Sequence, residues 1–255
     1  MPKANVPILK EPKPKKKSSK KILGILILLF LSLLCVLFFR SSLSKITKIS
    51  FVGNSYTTNA ELLQASQLKV GTAFFGVSAN SIQSKLLELP SIQNVEVDKS
   101  FPGAIEIVVQ EYSLSAYELT STGQLNGLLA NGTKIDLGNG SIPIDKPILT
   151  GWKGDDPNLA KLCSALAQIP DELISDISEI TPSPTLSYPD RIKMYTKSRF
   201  VVISAVSLLP SKAEYMNMIL EAQDPGTLKM LDADSYVPFN PAGSEDEEEN
   251  DTTNQ

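Results

Sequence analysis

The chain has 255 residues, of which 42% are hydrophobic and 20% are charged, as is typical of sequence that folds into globular domains. The net charge of −4 is unevenly distributed: residues 1–40 hold nine basic residues and one acid, which leaves 15 basic and 27 acidic residues, a net charge of −12, in 41–255. Because contact with nucleic-acid phosphates needs a basic face, this composition excludes nucleic-acid binding by the larger region.

The N-terminal part of the chain predicts a membrane anchor. A basic tail, 1–21, precedes the uncharged apolar run Ile22–Phe39, and a polar hinge, 41–44, follows it. As a helix this run is about 27 Å long, close to the roughly 30 Å of a bilayer's hydrocarbon core, and Arg40 can reach the interface. The lysine excess before the run predicts a cytoplasmic N-terminus and an extracytoplasmic region, 41–255.

A cleaved signal peptide is the alternative interpretation of the apolar run. Such a peptide has an apolar region of about 7–15 residues and a small-residue cleavage site after it. Here the run is longer and Arg40 follows it directly, although Ser42 and Ser44 are small. A lipoprotein signal is disfavoured because Leu34, which precedes Cys35, is not small. We therefore expect a single, retained transmembrane helix.

The residues after the hinge predict a strand, two helices and two more strands. Ile49 and Phe51 alternate with polar neighbours, as in a half-buried strand. Thr58 and Glu61 form a capping box that begins the first helix, and Pro90 ends the second. Two alternating segments then follow, joined by a Phe-Pro-Gly turn.

This order predicts a domain over residues 45–113, with a three-stranded sheet and two helices packed on one of its faces. The residues expected to supply its core are Ile49, Phe51, Ile82, Leu86, Val95, Val97, Ile105 and Ile107. Val95 and Val97 lie on the same face of one strand, so both are expected to be more buried than Glu96 between them.

The second half of the chain is less regular. Asn131-Gly132 predicts a two-residue hairpin turn with both residues at positive φ. Asp156 as N-cap and Pro157 in the first turn begin a helix. The buried stripe predicted for this helix is Leu159, Leu162, Cys163, Leu166 and Ile169.

The last part of the chain predicts further elements and a polar end. Strands are predicted around Ile192–Met194 and Phe200–Val202, a helix over Ser211–Ala222 and a last strand over Thr227–Leu231. Six acids stand among the seven residues Glu245–Asp251. Such a run repels itself, which predicts a disordered acidic tail at 241–255.

The composition also limits the chemistry of the chain. It contains no histidine and only two cysteines, which excludes histidine-based triads and a structural zinc site. Neither a Walker loop nor a G-x-G-x-x-G pattern is present. Cys163, on an apolar helix stripe, and Trp152 are interpreted as packing residues. We therefore predict no catalytic site, cofactor or metal; an enzyme that uses carboxylates alone is the remaining alternative.

The stretch 46–117 resembles a POTRA domain. The resemblance rests on Ile49–Asn54 at its start, Leu89–Ile92 before the second strand, Phe101–Ile107 in the final hairpin and Glu111 after it. With the basic tail and the single span, it is similar to the FtsQ/DivIB family of bacterial cell-division proteins. Similar segments in the second half are Leu128–Leu137, Pro147–Gly151, Ile177–Ile180 and Leu209–Tyr215.

This resemblance implies an α+β protein with a single transmembrane helix, a POTRA domain and a second, mixed α/β domain at 114–240 with a curved, largely antiparallel sheet. It implies a division scaffold, concentrated at the septum, with no small-molecule substrate. Such a scaffold binds the bitopic proteins FtsB (DivIC in Gram-positive bacteria) and FtsL outside the membrane and helps regulate septal peptidoglycan synthesis. The alternative function is a membrane-anchored POTRA protein that acts as an export or assembly chaperone; an anchored hydrolase is more remote.

The partner-binding surface is predicted on the last strand and the segment after it. A final strand often lies at a sheet edge, where a partner segment can add as another strand, and the resemblance implies the same place. The predicted binding residues are Thr227, Leu228, Lys229, Met230, Leu231, Tyr236 and Phe239. Tyr236 and Phe239 are the expected aromatic anchors. The alternative is that both rings only seal the core of the domain.

Overall fold

The computed structural model describes residues 20–120, 123–137 and 144–239. Nearly all of the predicted basic tail, and the acidic segment 241–255, lie outside the described residues. The N-terminal helix α1 spans Lys20–Arg40, and none of its side chains is buried. Within the described residues, α1 is the one helix long and apolar enough to cross a membrane.

The segment predicted as a hinge is an ordered turn. Ser42–Ser44 forms one turn of 3₁₀-helix directly after α1. Ser44 is buried, and its hydroxyl donates to the carbonyl oxygens of Phe39 at 2.8 Å and Ser41 at 3.0 Å. These hydrogen bonds couple the end of α1 to the start of the first domain.

The first domain has the predicted order of elements. These are β1 (Lys48–Val52), α2 (Asn59–Ser66), α3 (Ala79–Leu86), β2 (Ile92–Ser100) and β3 (Ala104–Glu111). The sheet order is β1-β3-β2, with β1 parallel and β2 antiparallel to the central strand β3. The predicted capping box of Thr58 and Glu61 begins α2. The prediction of a POTRA-like sheet with two helices is therefore confirmed.

Five of the eight predicted core residues of this domain are fully buried: Ile82, Leu86, Val95, Ile105 and Ile107. Ile49, Phe51 and Val97 are only partly buried, although they pack against the same core. For the first two the reason is position, because β1 is an edge strand and an open groove separates it from α2. Val97 is nonetheless more buried than Glu96, so the predicted strand register is correct.

In its described residues, the second domain contains one nine-stranded sheet and three helices. Its strands are β4 (Leu114–Leu119), β5 (Leu125–Leu129), β6 (Lys134–Asp136), β7 (Ile148–Leu149), β8 (Ile177–Pro182), β9 (Arg191–Thr196), β10 (Val201–Ala205), β11 (Gly226–Met230) and β12 (Asp234–Pro238). Its helices are α4 (Pro157–Leu166), α5 (Asp171–Ile174) and α6 (Leu209–Ala222). The strand order is β12-β11-β10-β9-β8-β7-β4-β5-β6.

Five strand pairs of this sheet are antiparallel and three are parallel, which confirms a mixed, largely antiparallel sheet. The apolar side chains of the helices and of one sheet face form a single core. All five residues of the stripe predicted for α4 are buried in the core, although Ile169 lies beyond the end of this helix at Leu166. Trp152 packs against this core and donates from Nε1 to the carbonyl of Ile180, as expected for a packing residue.

The predicted hairpin joins β5 and β6, but its turn differs from the prediction. Gly132 has φ 83°, whereas Asn131 does not have positive φ. The Gly132 N–H donates to the carbonyl of Leu129 at 2.7 Å, and the Leu129 N–H donates to that of Thr133 at 2.9 Å. This is the pattern of a three-residue loop with a bulge rather than a two-residue turn. Asn131 accepts the Thr133 N–H and donates to the carbonyl of Pro90 in the first domain, which fixes its conformation.

The prediction that Thr227–Leu231 is the last strand and lies at the sheet edge is wrong. This segment corresponds to β11, which lies between β10 and β12. The chain reverses after Leu231, and Lys212 holds the reversal by donating to the carbonyl of Leu231 and to the carboxylate of Asp234. The edge strand is therefore β12.

Candidate partner-binding edge

Among the residues that the structure describes, no other strand covers the main-chain groups on the outer side of β12. β12 runs antiparallel to β11, with Val237 opposite Thr227 and Tyr236 opposite Leu228. The Phe239 N–H donates inward to the carbonyl of Pro225 at 3.1 Å. Inward and outward groups alternate along an antiparallel strand, so the N–H groups of Asp234 and Tyr236 point away from β11. The next outward position is Pro238, which has no N–H and suits an edge strand.

Tyr236 belongs partly to the core of the second domain. Its ring is half-buried against that core, with its centroid 6.3 Å from the centroid of the Phe200 ring. Its hydroxyl donates to the carbonyl of Asp224 at 2.5 Å. The domain itself therefore holds the Tyr236 ring in place. This agrees with the alternative in which the ring seals the core of the domain.

Phe239 and Val237 offer the exposed apolar surface of this edge. Phe239 is 53% exposed and Val237 is 61% exposed. Since side chains alternate along a strand, Val237 points to the opposite face from Tyr236, away from the helices. Val237 was absent from the predicted site, although its alternation with Tyr236 was a usable signal. The structure separates the two aromatic rings, because Tyr236 packs against the core whereas Phe239 is exposed.

The predicted residues on β11 divide into two groups. Leu228 and Met230 are fully buried beneath the helices, so their side chains are not available to a partner. Thr227 and Lys229 alternate with them and lie on the opposite sheet face, where Lys229 is exposed. Leu231 is half-buried in the turn that leads to β12. The structure therefore brings together Thr227 and Lys229 with the exposed residues of β12.

Gly226 allows β12 to lie close against β11. A Cβ atom at this position would stand 2.4 Å from the carbonyl oxygen of Val237 and 2.7 Å from Cε2 of Tyr236. Any larger residue would push the edge strand outward or displace the Tyr236 ring. This requirement arises from tertiary packing and was not visible in the sequence.

The charges around this edge are of both signs. Lys212 pairs with Asp234 at 2.5 Å, and Arg199 and Asp224 lie beside Phe239. In the described part of the chain, no cluster of three or more acidic or cysteine side chains could hold a metal ion. The arrangement is suited to pairing with another polypeptide strand, through main-chain bonds and a small apolar contact.

Comparison with known proteins identifies the family. Residues 44–112 match the model of the POTRA domain, FtsQ-type. The chain is 55% identical over 253 residues to the cell division protein DivIB of Paenibacillus polymyxa, covering 99% of this chain and 100% of that relative. It is 30% identical over 244 residues to DivIB of Bacillus anthracis, covering 94% of this chain and 91% of the relative.

The chain is also similar to a solved structure, the major extracytoplasmic domain of DivIB from Geobacillus stearothermophilus, with 27% sequence identity and a TM-score of 0.38. The match covers 44% of this chain and 94% of the chain in the solved structure. The full-length relatives are division proteins, and the apolar helix α1 precedes the two domains as in a single-pass membrane protein. The similarity over nearly the whole length, together with the matching POTRA domain, shows that the chain belongs to the DivIB family of bacterial cell division proteins.

Proposed function

We propose that the chain is a division scaffold that binds other bitopic membrane proteins outside the membrane, at the open edge of β12. The proposed partners are of the FtsB/DivIC and FtsL type, and the complex regulates septal peptidoglycan synthesis. The chain is then concentrated at the division septum. Family membership supports the division role, and the open edge strand supports the mode of binding.

The binding proposal rests on one observation: β12 exposes both main-chain groups and side chains. The outward N–H groups of Asp234 and Tyr236 can pair with an added strand, while Val237 and Phe239 supply apolar contacts. Tyr236 acts in this proposal mainly by holding the strand against the core. Thr227 and Lys229 flank the contact on the same sheet face as Val237.

Two substitutions on β12 test this surface in the full-length chain. Phe239→Ala removes an exposed ring and Val237→Glu places a charge in the proposed contact. Each is expected to weaken binding to a DivIC-type partner about tenfold or more, as central contacts of interfaces do. The melting temperature should stay unchanged because both side chains are exposed.

Leu186→Ala is the matched control, because Leu186 is a fully exposed apolar residue in the loop between β8 and β9. It should leave the affinity for the partner unchanged. Wild-type affinity in both β12 variants would place the interface elsewhere. A lowered melting temperature in Phe239→Ala, with binding kept at low temperature, would assign that ring to the core.

The alternative function is an export or assembly chaperone anchored in the membrane, which the isolated POTRA domain would suit. Imaging of a fluorescent fusion in dividing cells separates the two functions. A scaffold of the division complex concentrates at mid-cell, whereas a chaperone of this kind stays distributed around the envelope. Co-purification with DivIC- and FtsL-type proteins from the same cells tests the choice of partners.

A further inference from the structure

Four phenylalanine side chains form a continuous exposed patch where α1 meets the first domain. We call this group, Phe38, Phe39, Phe75 and Phe101, the aromatic base. The ring centroid of Phe75 lies 6.1 Å from that of Phe38, 6.5 Å from that of Phe39 and 6.3 Å from that of Phe101. Rings from three separate segments of the chain therefore meet at one place.

Contacts within the aromatic base leave much of it uncovered. Phe39, Phe75 and Phe101 are 60%, 55% and 57% exposed. Neighbouring Phe74 behaves differently, since it is buried and belongs to the core of the first domain. Exposed apolar patches of this kind on a domain mark a contact surface.

The position of α1 sets the depth of the aromatic base relative to a bilayer. A helix of 21 residues is about 31 Å long, so Phe38 and Phe39 at its end lie where the hydrocarbon core meets the outer headgroups. Phe75 contacts both of these rings and Phe101 contacts Phe75. All four rings then lie near the same interface.

The linker after α1 holds this arrangement. Buried Ser44 bonds back to the last turn of α1, and Lys45 forms an isolated bridge with Ala73, two residues before Phe75. The Thr47 N–H donates to the carbonyl of Gly103 at 2.8 Å, which fixes the turn that carries Phe101. The rings on the first domain are thus tied to the end of the helix through short, hydrogen-bonded segments.

The charge beside the aromatic base also suits a lipid surface. Arg40 and Lys45 are exposed at the junction, and basic side chains next to an apolar patch favour anionic lipid headgroups. No acid occurs between residues 12 and 60. The partner that fits an apolar patch continuous with a membrane helix and flanked by basic residues is the bilayer.

We propose that Phe75 and Phe101 insert into the outer interface of the same bilayer that α1 spans, so that the first domain docks on the membrane surface. This proposal rests on the proposed function, in which α1 is a single-pass anchor. It adds a second membrane contact, made by the first domain. It holds the first domain at a set distance from the membrane and thereby limits where β12 can meet membrane-anchored partners.

Tryptophan fluorescence in lipid vesicles tests the docking. The full-length chain carries Trp152 as its single tryptophan, so Trp152→Phe supplies a background in which Phe75→Trp and Phe101→Trp are measured separately. The vesicles contain phosphatidylglycerol and phosphatidylcholine, with or without phosphatidylcholine brominated near the top of the acyl chains. Both introduced tryptophans are expected to lose about half of their emission or more in brominated vesicles, since interfacial apolar residues lie about 5–10 Å deep.

Two further variants make the result decisive. Phe30→Trp, in the middle of α1, must be quenched by phosphatidylcholine brominated near the ends of the acyl chains if the helix is inserted, and Phe239→Trp, equally exposed but remote, should not be quenched in either kind of brominated vesicle. Emission from positions 75 and 101 that matches position 239, while position 30 is quenched, would overturn the docking and leave the anchor intact. Loss of quenching at position 30 as well would overturn both. If Trp152→Phe fails to fold, the same substitutions are added to the native chain, and the extra quenching over Trp152 alone is scored by the same criteria.

Discussion

Glu111 connects the end of β3 to the loop that precedes α2. Its carboxylate accepts the backbone N–H groups of Ser55 at 2.6 Å, Tyr56 at 2.8 Å and Thr57 at 2.7 Å. Partial burial raises the pKa of this carboxyl, but the hydrogen bonds from Thr57, Tyr56 and Ser55 outweigh it, and the pKa is lowered from its ordinary value of 4.5. The charged form is therefore the one that stabilises the fold.

Glu111→Gln is expected to lower the free energy of unfolding by about 1 kcal/mol at neutral pH, because charge-assisted bonds become ordinary ones at a partly exposed site. The native pKa lies below the unfolded one, so the stabilisation is complete above pH 4.5 and is lost as the pH falls through the native pKa. Thermal unfolding curves of wild type and variant should converge in acid. Glu106→Gln, an exposed residue of the same strand, is the control; an equal effect there would contradict the role of Glu111.

The buried thiol of Cys163 is expected to be unreactive in the native protein. It is fully buried, and this burial raises the pKa of its thiol to about 12. The thiolate that reacts with disulfide reagents is therefore scarce at neutral pH. In a fragment of residues 41–255, which lacks Cys35, we expect no reaction of the native protein with such a reagent and one equivalent after unfolding. Rapid labelling of the native fragment would contradict this burial.

At the scale of elements, Gly226 sets the position of the edge strand. Gly226→Ala would place a Cβ atom against the main chain of β12, so we expect faster amide exchange at Val237 and about tenfold weaker binding of a DivIC-type partner. Gly154→Ala is the matched control, since a Cβ atom there would meet only Lys134 Nζ at 3.9 Å. Native exchange at Val237 in Gly226→Ala would show that β12 tolerates the larger residue.

The elements of the first domain were largely predictable because local signals mark them. The capping box at Thr58 and Glu61 and the alternation around Val95 and Val97 each reflect physics within a few residues. Ile49 was predicted as more buried than it is, because alternation identifies a strand face without telling whether the strand lies at an edge.

The second domain was less predictable, because local alternation does not reveal where a strand lies in its sheet. The order of strands in a nine-stranded sheet depends on pairings between distant segments, and the two-residue strand β7 and the four-residue helix α5 give weak local patterns. The segment Asp234–Pro238 was not recognised as a strand of its own, so β11 was placed at the edge in its stead. Tyr236 and Phe239, which were named from the sequence, nevertheless lie on and directly after β12.

In the whole molecule, the two domains after α1 have separate cores and are joined by polar contacts. Asn131 and Thr133 both donate to the carbonyl of Pro90, across the boundary between the domains. We predict that residues 41–255 fold in solution without α1, as a soluble, acidic monomer. Calorimetry should show cooperative unfolding. Broad, non-cooperative melting would contradict two packed domains.

The acidic segment is not expected to contribute to either folding or binding. Deletion of Glu245–Gln255 should leave the melting temperature and the affinity for a DivIC-type partner nearly unchanged, because crowded acids offer nothing to pack and are screened in physiological salt. Binding curves of the full-length and shortened chains decide the point. A tenfold or larger loss of affinity would make this segment part of the interface.

Amide hydrogen exchange can detect, residue by residue, whether a partner adds as a strand to the outer edge of β12. In the free protein the outward N–H groups of Asp234 and Tyr236 should exchange quickly, while the inward N–H of Val237 is already protected. On addition of a DivIC-type partner, exchange at Asp234 and Tyr236 is predicted to slow about tenfold or more, with Val237 little changed. Binding of the partner without any slowing at Asp234 and Tyr236 would contradict strand addition at β12.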